Sequence, residues 1–392
     1  MTEENIQLFD VLKTAIWGGK SYEQKIHDSI RKELRAQAVE GLTAQIFGES
    51  DKLKYLLVSN FIKMASTQEK TILLLQKASI TVAVIKGTAS GIYYPTPFLR
   101  TYGDIDLLVH PSNYREAISV LLAAGYTSDG NIGEYHTALS DGQFLIELHQ
   151  SIPGINDVAE GKFILRFMLS GLDEIENGVI EEPYCVFPML PWKQNGLELI
   201  WHFREHLYNG IGLRHAIDWM LFVNARLSTE EEFDEFRPVL ENSGLLLLAR
   251  VVARMSQLFL GLTNTINWCK DVDDSICRDL MDFILEQGNF GHKKSDDKAS
   301  KVLTRYNRPF YFLKGLQSFG TREWGAVQKC SLLRPFAWIY GVIQGIKMYS
   351  GRGGMKRLKG DLTEHRNRQK MFEGLYGKKL RNVSMPHVNR ED

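Results

Sequence analysis

The stretch Tyr102-Gly103-Asp104-Ile105-Asp106-Leu107-Leu108-Val109 decides how this chain is read. In an extended strand successive side chains alternate, so Asp104 and Asp106 share one face while Ile105, Leu107 and Val109 turn to the other, into a core. Two neighbouring anions repel, and a fold that keeps them together usually sets a cation between them. Hard oxygen donors in that arrangement suit Mg²⁺, which prefers carboxylates plus substrate phosphates. Taken alone, Asp-x-Asp fits a polar strand edge equally well.

The flanking segments narrow the choice. Upstream, Val82-Ala83-Val84-Ile85 is a short β-rich run that breaks at Lys86-Gly87-Thr88-Ala89-Ser90-Gly91. Strand, glycine turn and helix in succession bring backbone N–H groups up to a phosphate. Downstream, Gln143 to His149 alternates as a strand, with Phe144, Ile146 and Leu148 on one side and Leu145, Glu147 and His149 on the other. If the two strands are neighbours, Glu147 approaches the Asp pair and completes a three-carboxylate site beside a glycine turn.

Composition excludes several alternatives. The 392 residues suit two or three packed units, and 44% hydrophobic with 24% charged residues is ordinary for a globular protein. Lys+Arg and Asp+Glu both total 47, so no global field favours nucleic acid or an anionic membrane. Cys185, Cys269, Cys277 and Cys330 lack C-x-x-C spacing, which argues against a cysteine zinc site or disulfide framework and fits a reducing cytosol. The acidic start Met1-Thr2-Glu3-Glu4-Asn5 has no apolar signal region, so a cytoplasmic protein is expected.

With these motifs in place, the chain resembles nucleotidyltransferases of the DNA polymerase beta-like superfamily, and more closely the bacterial group described as uncharacterised nucleotidyltransferases. The resemblance rests on Ile85-Lys86-Gly87, Tyr94-Pro95, Arg100, Asp104 to Val109, Gly125-Tyr126 and Ile146-Glu147-Leu148-His149. It continues through His206-Leu207, Gly212-Leu213-Arg214, Asp218 and Gly288-Asn289-Phe290-Gly291, so it spans residues 80 to 290. The superfamily turn is commonly Gly-Gly or Gly-Ser, whereas Thr88 follows Gly87 here, and Gly103 stands where Ser often precedes the first Asp.

The resemblance implies an α+β fold: a polymerase-beta-like core of small mixed sheet and helices, flanked by helical N-terminal and C-terminal regions. It implies transfer of a nucleoside monophosphate from ATP or another NTP to an acceptor hydroxyl or phosphate, with pyrophosphate release and two Mg²⁺ ions. Asp104 and Asp106 would hold the ion on the nucleotide phosphates and share a second with Glu147. The turn Lys86-Gly87-Thr88 would receive phosphate, and Arg214, from the half that lines the cleft in the related group, would contact phosphate or acceptor. Lys86 and Arg100 each read two ways, as phosphate ligands or as structural ion pairs with the Asp cluster. His149 reads as a donor to Glu147, an acceptor contact or a core residue. His202 and His206 lie one helical turn apart, a spacing open to metal binding, although the pattern His-Glu-x-x-His is absent and no zinc-type carboxylate follows; Arg214 and Asp218 share that spacing, and an Arg214–Asp218 helix pair is the plainer expectation. The acceptor is expected to be a small molecule. A non-catalytic nucleotide- or partner-binding member of the fold, and a protein- or tRNA-modifying transferase, are the alternatives.

Along the chain, residues 1–79 show helix-period apolar spacing and 80–190 read as the mixed catalytic segment, with a helix over Tyr114 to Ala124 ended by Gly125. Pro183, Pro188 and Pro191 mark the crossing to a helical segment, 191–350, with helices over Gly196 to Tyr208, Gly212 to Ala225 and Leu245 to Leu260. The basic stretch 291–308 is expected to form an exposed loop or lid. Leu332 to Tyr349 is interrupted by Arg334, Pro335 and Lys347, which predicts a buried or interfacial helix and no membrane span. A basic, sparsely apolar tail, 351–392, is expected to be partly disordered.

Overall fold

The computed structural model describes residues 2–18, 26–46, 51–130, 132–155, 158–289 and parts of 316–375. The stretch 291–308, the tail beyond 375 and the Phe290-Gly291 end of the last motif lie outside the described residues. Residues 1–292 belong to one compact unit and 293–378 to another.

The first unit is built on a seven-stranded mixed sheet. Its strands are β1 (Val82–Val84), β2 (Ile105–Val109), β3 (Thr127–Ser128), β4 (His136–Ser140), β5 (Leu145–His149), β6 (Glu176–Ile180) and β7 (Cys185–Met189), in the order β3-β4-β5-β2-β1-β7-β6. Strand β2 sits at the centre, antiparallel to β1 and parallel to β5. All five of its residues are buried, as befits a strand covered on both faces, and Asp106 is its one polar member.

One face of the sheet buries Ile105, Leu107, Val109, Ile146 and Leu148 with Leu75 of α3 (Asp51–Lys77) and Tyr114, Ile118 and Leu121 of α5 (Tyr114–Ala123). Helix α5 closes where Gly125 takes φ +94°, a conformation that costs glycine little. Helix α4 (Gly87–Gly91) packs on β1, α7 (Trp192–Asn209) and α8 (Leu213–Arg226) pack on α4, and α6 (Gly161–Ser170) packs on α7. The Asn195 side chain on α7 donates to the Ala89 carbonyl of α4 at 3.1 Å.

Helix α8 is buried from Leu213 to Val223, including Arg214, His215 and Asp218. A helix buried on every side forces its polar groups to find partners inside the protein. Helices α9 (Glu230–Asn242) and α10 (Leu246–Phe259) pack against it, and α11 (Asp274–Gln287) packs on α10. Helix α9 opens with a capping box, Thr229 Oγ1 accepting from Glu232 N at 3.2 Å and Glu232 Oε2 from Thr229 N at 3.0 Å. The N-terminal helices α1 (Glu3–Trp17) and α2 (Asp28–Ala36) are tied to this helical half rather than to the sheet. Trp17 Nε1 donates to the Leu260 carbonyl at 2.7 Å, and the Gln37 side chain accepts from Leu213 N at 2.9 Å and donates to the Ile284 carbonyl at 3.2 Å.

In the second unit a 3₁₀ turn, Ser331–Phe336, precedes α12 (Ala337–Tyr349), and Pro335, which lacks an N–H for an α-helical bond, falls in the 3₁₀ part. Leu332, Phe336, Trp338, Ile339 and Ile343 stay exposed, so this segment is less buried than its apolar composition predicts. Among the described residues no helix is long and apolar enough to cross a membrane.

Candidate active site

The parallel register of β2 and β5 sets Asp106 opposite Glu147. Asp104, one residue before β2, joins them, and the carboxylate oxygens of Asp104, Asp106 and Glu147 lie within 4.8 Å of one another. They open on a cleft of about 220 Å³ that is also lined by Lys86, Gly87, Arg100, Glu198, Trp201, His202, Glu205, His206 and Arg214.

Lys86 Nζ donates to Asp106 Oδ1 at 2.9 Å and lies 3.9 Å from Glu198 Oε1. Its backbone holds φ +55°, an uncommon conformation for a side-chain-bearing residue, followed by Gly87 at φ +39°. That costs about 1 kcal/mol or more and aims the lysine into the cleft, a form of strain that concentrates at ligand clamps. His149, fully buried, shares its Nε2 proton between Asp106 Oδ1 at 2.9 Å and Glu147 Oε2 at 3.4 Å. A carboxylate only accepts, so Nε2 carries the proton. His136 Nε2 on β4 stands 3.6 Å from Glu147 Oε1.

These contacts split the carboxylates electrostatically. Burial alone would raise Asp106, but Lys86 and His149 hold it well below the usual carboxylate range. Burial likewise opposes Glu147, which the His149 hydrogen bond brings below its ordinary value. Asp104 is raised, first by burial and then by the charges of Asp106 and Glu147. Asp104 therefore carries the unrelieved repulsion of the cluster, and a donor set of three carboxylates with one such member fits hard divalent cations.

Arg100 is placed otherwise than as a phosphate ligand. Its Nε and Nη2 both donate to Asp218 of α8 at 2.8 Å, and Tyr94 Oη donates to the same carboxylate at 2.6 Å. The ion pair expected with the Asp cluster forms instead with Asp218, 118 residues away in sequence. Arg214 reaches out of α8 to donate to the Thr101 carbonyl at 3.1 Å, so Asp218 has both oxygens on Arg100 while Arg214 holds the next peptide. Thr88 is buried and gives its hydroxyl to Gln68 Oε1 at 2.8 Å, away from the cleft lining.

The helical side of the cleft adds Glu198, Trp201 and Glu205, which sequence reasoning passed over, to the His202 and His206 pair that it singled out. Glu198, Trp201, His202, Glu205 and His206 form one stripe of α7. Glu198 is 1% exposed, and neither carboxylate oxygen has a hydrogen-bond partner. Burial pushes its carboxyl up to about 7, with Lys86 as partial relief. Opposite, Gly154 at φ +76° approaches so closely that a Cβ there would meet the Glu205 carboxylate. The signal available in the sequence was Glu198-x-x-x-His202-x-x-x-His206, ionisable groups at one-turn spacing on an otherwise apolar helix.

Residues 21–261 match the model of a family described as uncharacterised nucleotidyltransferase. No curated protein matches the chain. Among solved structures, the solution structure of the antibiotic-resistance factor ANT(2'')-Ia is similar over 46% of this chain and 92% of its own, at 13% identity and a TM-score of 0.32. A likeness that slight carries no argument here.

Proposed function

The chain belongs to this family of nucleotidyltransferases, and from that premise we propose that it moves a nucleoside monophosphate from an NTP, in a Mg²⁺-dependent reaction, to an acceptor hydroxyl or phosphate. The observation that carries the proposal is the meeting of Asp104, Asp106 and Glu147 over a cleft. These carboxylates would hold two Mg²⁺ ions, which would neutralise the triphosphate and lower the pKa of the attacking hydroxyl.

The protein's own groups do the rest. Lys86, held on Asp106 and aimed into the cleft by its strained backbone, is the cation placed to meet a phosphate oxygen there. His149 orients Asp106 and Glu147 together and keeps both ionised, ready to bind. Arg214, lining the cleft from α8, supplies a further positive charge for phosphate or acceptor. The Arg100–Asp218 pair acts at one remove, fixing the segment that leads into Asp104. The helical wall, with Trp201 and Glu198, is the surface left for a small acceptor.

The test is pyrophosphate release and label transfer from the four NTPs labelled at the α-phosphate, with Mg²⁺ and with cell extract as acceptor source. Wild-type transfer that disappears in Asp104→Asn and in Glu147→Gln supports the proposal. Mg²⁺–NTP binding without transfer to any acceptor would replace it with a binding function, and label on protein or RNA would move the acceptor to a macromolecule.

A further inference from the structure

We propose that His202, His206 and His215 form a three-histidine site for Zn²⁺, on the helical wall and separate from the carboxylates. His202 and His206 come from α7 and His215 from α8, across the short Gly210–Gly212 connection. One nitrogen from each lies within 4.8 Å of the others. The rings crowd together, with His206 and His215 centroids 4.2 Å apart and His202 and His206 4.4 Å apart. A tetrahedral zinc about 2.0–2.1 Å from each nitrogen would set them roughly 3.4 Å apart, within reach of small side-chain rotations.

The proton arrangement suits the ion. Peptide carbonyls only accept, so His206 Nδ1 donates to the Gly210 carbonyl at 3.1 Å and leaves Nε2 with its lone pair. His215 Nδ1 faces the Gly212 carbonyl at 3.2 Å, closer than the 3.4 Å approach of Gly212 N to the same atom, which favours the same tautomer. Carbonyl-anchored imidazoles of this kind are the usual support of a metal-bound histidine. His202 Nε2 donates to His206 Nε2 at 2.9 Å, and moving that proton to Nδ1 turns His202 into a third donor without releasing a proton.

Burial, foremost, keeps all three rings neutral, His206 down to about 4. Neutral imidazole is the form that binds metal. Lys86 and Arg214, which add to this effect, also oppose a dication, while the charge of Asp106 offsets them in part at His206. Three imidazoles leave a fourth zinc position, and because His202 and His206 line the cleft, that position faces it. The ligand it would take is a water or an anionic or hydroxyl oxygen.

The decisive experiment uses the full-length protein without a polyhistidine tag, stripped with chelator and titrated with Zn²⁺ against a chromophoric competitor. Wild type is expected to take one equivalent with a Kd below about 1 µM. His202→Gln, His206→Gln and His215→Gln are each expected to weaken binding at least about 100-fold while circular dichroism shows the native fold. Co²⁺ added to the wild type should give the strong visible absorption of a tetrahedral site, a readout that needs no variant to fold. The Asp104→Asn/Asp106→Asn protein should keep its zinc, so failure of the nucleotidyl-transfer reading would leave this site standing. No zinc uptake by folded wild type, binding untouched by all three histidine changes, loss of zinc only in the aspartate variant, or a weak octahedral Co²⁺ spectrum each overturns the inference.

Discussion

The two sides of the cleft solve the problem of buried polar groups in opposite ways. On the sheet side, Asp106 and Glu147 are charged and matched against Lys86 and His149 at 2.9–3.4 Å. On the helical side, Glu198 and the three histidines are held near neutrality by burial. The first strategy suits groups that must present charge at once, and the second suits groups kept uncharged in a dry wall. The contrast places preformed charge at the carboxylates and neutral polar groups on α7.

The largest expected effect tests the charged side. Asp104→Asn should reduce transfer by about a thousandfold or more, several kcal/mol of transition-state stabilisation, as read by pyrophosphate release. In the same protein without metal it should raise Tm, because it removes the member of the cluster that repulsion raises. Asp106→Asn should abolish transfer equally but lower Tm, since Lys86 and His149 then lose their buried counter-charge. Equal Tm changes for the two would break the distinction between them.

Next in size, Asp218→Ala should cost about 3–5 kcal/mol by leaving Arg100 buried without its carboxylate, measured by denaturant unfolding. Arg100→Met with Asp218→Leu should recover much of that stability.

The pH dependence separates the sides further. The depressed Asp106 contributes stability that is present above the unfolded carboxylate pKa and lost as acid protonates it. The raised His149 contributes stability that is full below its unfolded value of 6.5 and lost as pH climbs through its folded value. Glu198 is a carboxyl raised from 4.5 to about 7, so the folded protein holds its proton longer and loses stability as pH rises between those values. Glu198→Gln should therefore match wild type in Tm at pH 4 and exceed it at pH 8, by a few degrees for a few kcal/mol at most. A difference that is the same at both pH values would mean that Glu198 does not titrate in this range.

The smallest effect is a control remote from both sides. Thr229→Ala, which opens the α9 capping box, should cost about 1 kcal/mol and leave transfer and zinc binding untouched.

Much of the sheet side was legible in the sequence because its signals are local. Asp104 and Asp106 are two residues apart, Glu147 sits in an alternating strand, and Lys86 follows a β-rich run. The helices from Trp192 onward were legible from their period, within a few residues at each end. The parallel β2–β5 register, which makes three carboxylates into one cluster, has no local signature. Nor has the Arg100–Asp218 pair, whose partners are set by how α8 crosses the sheet; one-turn spacing pointed to Arg214 instead. Glu198 was missed because a single glutamate in a helix reads as a solvated position until packing buries it.

The clamp on α8 has a practical consequence for dissecting the protein. Asp218 and Arg214 hold Arg100 and Thr101, the segment that leads directly into Asp104. A fragment cut to residues 80–190 would keep Asp104, Asp106 and Glu147, yet it would strand the Arg100 guanidinium in its interior and leave the entry to β2 untethered. The modular boundary that the change from strands to helices suggests is thus no place for scissors: chemistry and support were not packaged separately, and the smallest useful piece must run through α8.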